Sequence, residues 1–268
     1  MAGLSLRWQE GYGVLSLRKD EIGRVSLYID RQEEHHRRGT VSNLPERASK
    51  FVVKIKICGI TNLEDARSAV KAGADMLGFN FYPASPRFIE PKNACAIVDV
   101  LRSEKSFLNH KVVMVGVFVD ESSPEAIAHT AEEAGLDAVQ LHGDDSFAFC
   151  EAVKDLLPDC LLIKVLRVDE KFQPAEAKQY AADVIMLDAF DPELRGGTGK
   201  KVDWKKAREI AEAAPRLFLA GGLAPENVAA AIEEVRPYGV DACTSLESSP
   251  GKKDAERMKE FVRAAHTE

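Results

Sequence analysis

Three side chains capable of proton chemistry stand where apolar runs stop. "VKIKICGIT" (53–61) ends its alternating run at Cys58, "AVQLHGDD" (138–145) ends at His142, and "VIMLDAF" (184–190) carries Asp188 after four apolar residues. A cysteine at a strand end is either a small buried hydrophobe or, with a lowered pKa, a base or nucleophile. An aspartate closing an apolar strand either bonds loop amides or holds a proton and acts as a general acid. His142 reads as a pocket hydrogen-bonder. Asp144 and Asp145 beside it suggest metal ligation, but no second set of ligands has supporting spacing, so a metal is rejected.

Anion-binding groups accompany them. In "GFNFYPASPRFIEP" (78–91) Arg87 lies between Pro86 and Phe88, where a guanidinium suits a carboxylate in two-point contact or an ion pair. "LRGGTGKK" (194–201) fails the Walker pattern, with Leu194 where Gly is needed and Lys201 where Ser or Thr is needed, and reads as a lid loop. "LAGGLAPENV" (219–228) and "GVDACTSLESSPGKKD" (239–254) offer small residues whose backbone amides can converge on a phosphate.

The elements that position these groups follow from the pattern. Strand-like runs fall at 53–57, 75–81, 111–119, 136–141, 161–166, 183–190, 216–222 and 239–243. Helix-like segments alternate with them. Asn62 caps one over 62–73, Ser123 caps another over 123–135 with Pro124 first, and 225–235 opens with Pro225. Gly73 and Gly135 stop the first two. Eight strands alternating with eight helices predict an α/β fold with a parallel sheet, and no dinucleotide fingerprint follows the first strand. A single (β/α)8 TIM barrel over residues 52–268 is the expected fold, with function at the C-terminal strand ends. Residues 1–51 form an N-terminal extension of hairpin-like strands and a charged linker, read as a poorly ordered tail or residues upstream of a misplaced start.

Composition sets the outer bounds. The chain has 268 residues, 45% of them hydrophobic and 29% charged, with a net charge of −7. That charge argues against nucleic acid as the main partner. No apolar run is long enough to cross a bilayer, and the first residues lack a secretory pattern. The five cysteines form no C-x-x-C pair. Disulfides and zinc are therefore not expected, and a cytoplasmic location is.

"KIKICGIT", "GADMLGFNFYPASPRFI", "VGVFV", "VQLHGD", "LDAF" with "GGTGKKVDW", "LAGGLAPENVAAAI" and "ESSPGKKD" together resemble the phosphoribosylanthranilate isomerases of tryptophan biosynthesis. The resemblance runs from Val53 to the C-terminus. It implies a cofactor-free and metal-free Amadori rearrangement of N-(5-phosphoribosyl)anthranilate to 1-(2-carboxyphenylamino)-1-deoxyribulose 5-phosphate. It further implies Cys58 as general base, Asp188 as general acid, Arg87 on the anthranilate carboxylate and His142 in the pocket. Phosphate would lie on the amides near Gly221, Gly222, Thr244 and Ser245, and the protein would be a monomer or homodimer.

Two features depart from the family: the extension, and "DACTSLE" where "DVSSGVE" is usual. Cys243 and Thr244 replace two serines, and Ser245 stands where a glycine is expected, which threatens a positive φ or close phosphate approach. Two alternatives remain: a histidine-pathway sugar-phosphate isomerase, which would carry an aspartate in place of Cys58, and a phosphosugar-binding barrel without turnover.

Overall fold

The structure is a computed structural model and describes residues 53–104, 111–121, 123–167, 172, 174–188, 204–214 and 216–266. The extension and the glycine-rich loop at 194–201 lie outside the described residues.

Eight parallel strands close into a barrel in sequence order. They are β1 (Lys54–Cys58), β2 (Met76–Asn80), β3 (Val113–Phe118), β4 (Ala138–Leu141), β5 (Leu161–Arg167), β6 (Val184–Asp188), β7 (Leu217–Leu219) and β8 (Gly239–Ala242). The described helices are α1 (Leu63–Ala72), α2 (Pro91–Ser103), α3 (Pro124–Ala134), α4 (Phe147–Leu156), α5 (Trp204–Ala213), α6 (Val228–Val235) and α7 (Ala255–Ala265). Helix signals act where the sequence places them. Asn62 accepts from the Asp65 amide at 2.9 Å, and Ser123 accepts from the Ala126 amide at 3.1 Å with Pro124 first in the helix. Gly73 and Gly135 end α1 and α3 in the left-handed region.

Two expectations need correction. Between β5 and β6 the chain forms a 3-10 helix, Pro174–Gln179, where an eighth α-helix was expected. Pro174, which opens this segment, lacks the amide an upstream helical turn would need, and the chain is extended again by Val184. Pro225 does not open α6, which begins at Val228. Asn227 instead ties the preceding turn, accepting from the Ala224 amide at 2.8 Å and donating to the Gly222 carbonyl at 3.0 Å.

Alternation along the strands builds two apolar layers. Ile55, Ile57, Leu77, Phe79, Leu217 and Val240 pack outward under the helices. Val115, Ala138, Ile163, Val165, Val184, Met186, Phe218 and Ala220 fill the barrel interior. A TIM barrel is packed in this way and is not a pore, so chemistry is left to the mouth. No helix among the described residues is long and apolar enough to cross a membrane.

Candidate active site

A cavity of about 630 Å³ opens at the C-terminal strand ends. All eight residues singled out from the sequence line it: Cys58, Arg87, His142, Asp188, Gly221, Gly222, Thr244 and Ser245. Residues nearly 190 positions apart therefore meet because closure of the sheet brings β8 back beside β1.

Cys58 is the last residue of β1 and is 9% exposed. Gly59 then turns the chain at φ 76°. A side chain there would lie 2.8 Å from Cδ of Arg87 and 2.9 Å from Sγ of Cys243, so glycine also lets both residues close over the strand end. The neighbouring Cys243 thiol is the largest influence on Cys58 and holds its pKa well below the usual 9.0. Burial opposes this, while Lys56 and Lys253 assist it. Cys243 shifts the opposite way, its pKa raised by the neighbouring Cys58 sulfur and by burial.

Beneath Cys58 lies a buried ion pair. Lys56 is fully buried, and its Nζ stands 2.8 Å from Oδ1 of Asp241, its register partner on β8. Burial disfavours the Lys56 charge, but Asp241 and the Cys58 sulfur outweigh it and raise its pKa. Asp241 shares that cation with Cys58, so burial prevails there and lifts its carboxyl to about 6. The alternation of "KIKIC" suggests lysines on a solvent face. In a closed sheet that face is the barrel interior, and a buried lysine needs an acid opposite it.

Across the mouth, Asp188 ends β6 and is 9% exposed. Its Oδ2 stands 3.2 Å from Nε2 of His142, just past the end of β4. Arg167, ending β5, donates to the His142 carbonyl at 3.3 Å and to Asp144 at 3.1 Å. Asp145 is taken up by Lys164 at 2.7 Å. Neither aspartate points to metal, and no group of three or more His, Cys, Asp or Glu side chains is placed to hold one among the described residues. Gln140 Oε1, on the wall below His142, is buried without a hydrogen-bond partner, which makes it a candidate ligand contact that the sequence did not single out.

Arg87 both lines the cavity and forms an ion pair. Its Nε and Nη2 meet Oε1 and Oε2 of Glu247 at 2.8 and 2.7 Å, and Nη2 also donates to Thr244 at 3.2 Å. Burial works against the Glu247 charge, yet Arg87 and Lys253 hold its carboxyl below the usual range. Gly221 and Gly222 take φ of 84° and 69°, ending β7 short of the expected strand. Ser245 is not among the described non-glycine residues with positive φ, so the strain expected there is absent. Its hydroxyl bonds the Leu223 carbonyl and joins the two candidate phosphate loops.

Fold and pocket define a (β/α)8-barrel enzyme with a thiol of lowered pKa and a carboxyl on facing sides of one mouth. A family model described as N-(5'phosphoribosyl)anthranilate (PRA) isomerase matches residues 55–264. The N-(5'-phosphoribosyl)anthranilate isomerase of Pelobacter propionicus is 45% identical over 215 residues, covering 80% of this chain and 96% of that one. The crystal structure of phosphoribosyl anthranilate isomerase from Thermus thermophilus has a TM-score of 0.68 and 35% identity, over 79% of this chain and 98% of that chain. A second structure, of such an isomerase in complex with reduced 1-(o-carboxyphenylamino)-1-deoxyribulose 5-phosphate, has a TM-score of 0.66 and 38% identity, covering 80% of this chain and 98% of that chain. The chain belongs to the N-(5'-phosphoribosyl)anthranilate isomerase family, and its activity is that of an isomerase in tryptophan biosynthesis.

Proposed function

We propose that the cavity converts N-(5'-phosphoribosyl)anthranilate to 1-(o-carboxyphenylamino)-1-deoxyribulose 5-phosphate with Cys58 as general base and Asp188 as general acid. Asp188 gives its proton to the furanose ring oxygen, the bond from that oxygen to C1 breaks, and the anthranilate nitrogen forms an iminium with C1. The Cys58 thiolate then takes the proton from C2. Those electrons neutralise the iminium, and the resulting enolamine tautomerises to the ketone. The observation that carries this reading is the placement of the Cys58 thiol, its pKa lowered by Cys243, Lys56 and Lys253, in one cavity with Asp188. Acid and base on facing sides of a bound sugar can act in sequence without moving the substrate.

His142, 3.2 Å from Asp188, orients the carboxyl toward the ring oxygen. The Arg87 edge not used by Glu247 receives the anthranilate carboxylate. The amides near Gly221, Gly222, Thr244 and Ser245 receive the phosphate, as such loops do in barrels of this kind. This arrangement needs neither metal nor cofactor.

The test is turnover. Substrate made in situ from anthranilate and phosphoribosyl pyrophosphate should lose its fluorescence much faster with the purified chain than in buffer. No acceleration by folded protein would overturn the reading and favour a barrel that binds without turnover.

A further inference from the structure

We propose that Cys58 and Cys243 form a reversible disulfide, making the mouth of the pocket an oxidation site for peroxides. The ladder between β1 and β8 pairs Lys56 with Asp241 and ends at Ile57 with Ala242, so Cys58 and Cys243 are the residues that follow its last pair. Neighbouring strands run about 4.8 Å apart. That spacing lies within the range of Cα separations, about 4.4–6.8 Å, that a disulfide spans. The Cys243 sulfur lies over Gly59, the residue after Cys58, only 2.9 Å from where a side chain there would begin, and it is close enough to the Cys58 sulfur to lower its pKa. Both are free cysteines and both line the open cavity, so a small oxidant can reach them.

The surroundings favour attack by one sulfur and resolution by the other. Lys253 places its Nζ 3.6 Å from Sγ of Cys243, where it stabilises a second thiolate once Cys58 has reacted. The remaining cysteines lack this setting. Cys150 is buried among apolar side chains with its thiol pushed up to about 11, and burial also raises Cys95 and Cys160.

The chemistry balances with hydrogen peroxide as oxidant. The Cys58 thiolate attacks one peroxide oxygen, the O–O bond breaks, and hydroxide leaves and is protonated, giving a sulfenic acid and water. Cys243 then attacks the sulfenic sulfur, the S–O bond breaks, and a second water leaves as the S–S bond forms. A dithiol reductant reverses the product by two thiol–disulfide exchanges. Loss of activity on oxidation rests on the proposed role of Cys58 as base, whereas formation of the bond does not.

The experiment treats the reduced full chain with a small excess of hydrogen peroxide and reads intact mass, non-reducing peptide maps and activity. The expected result is a loss of about 2 Da, a peptide linking Cys58 to Cys243, and an activity loss of at least about tenfold that dithiothreitol restores. In Cys243→Ser the linked peptide is absent, and peroxide adds oxygen mass at Cys58 that dithiothreitol does not remove when it reaches the sulfinic acid. A wild-type chain that gains oxygen at Cys58 without the linkage, or links other cysteines, overturns the proposal. Linkage with full activity retained supports the disulfide and overturns Cys58 as base.

Discussion

Arg87 and Glu247, 160 residues apart, face each other in a two-point ion pair that fastens the loop after β2 to the segment after β8. Glu247 fixes one edge of the guanidinium of a residue that also lines the cavity. A planar fork held in this way is what a bidentate carboxylate requires, and lysine cannot supply it. Arg87→Lys should raise KM at least about tenfold with a smaller change in kcat. Steady-state kinetics decides this, and an unchanged KM would place the anthranilate carboxylate elsewhere.

The thiolate also depends on what is missing beside it. A methyl group at Gly78 would lie 2.8 Å from Sγ of Cys58 and 3.0 Å from its Cα. Gly78→Ala should therefore displace the base and lower kcat about a hundredfold. Overpacking of this kind costs about 1–3 kcal/mol of stability, so the variant should stay folded. Kinetics and thermal melting together distinguish a misplaced base from an unfolded chain.

The pH dependence follows from the direction of the Cys58 shift. The base must be ionised, so kcat/KM falls as pH drops through the folded pKa of Cys58, which lies well below 9.0. The acid limb should accordingly lie well below pH 9. Cys243→Ala removes the first cause of the lowering and should move that limb upward. Profiles of kcat/KM for both proteins check this. A wild-type limb near pH 9 would mean that the surroundings do not stabilise the thiolate.

At the opposite end of the barrel the prediction concerns stability. A methyl group at Gly239 would lie 2.3–2.6 Å from ring atoms of Phe218, which is fully buried in the interior layer. Gly239→Ala should destabilise the barrel by about 1–3 kcal/mol. Because Gly239 opens β8 far from its C-terminal end, kcat and KM should change little. Denaturant unfolding beside steady-state kinetics tests both parts.

The sequence disclosed strand ends well, because in a parallel barrel each apolar run stops where function begins. Cys58, His142 and Asp188 were legible for that reason, as were the caps at Asn62 and Ser123, which act within a single turn. Pairings fixed by strand register were not. Lys56 with Asp241 and Arg87 with Glu247 join residues more than 150 positions apart, and no local pattern records them. Cys243 was noticed only as a departure at the phosphate loop, because its proximity to Cys58 requires β8 to close against β1. The 3-10 helix after β5 was missed because strand–helix alternation predicts a connection without fixing its length.

The most direct test of the central claim sets chemistry against binding in Cys58→Ala and Asp188→Asn. The reduced product analogue measures the intact site by its Kd, and single-turnover kinetics measures the chemical step. The acid–base account predicts an analogue Kd within a few-fold of wild type and a rate lower by at least about 10²–10⁴-fold in each variant. A Cys58→Ala protein that binds the analogue and still turns over at the wild-type rate would contradict it.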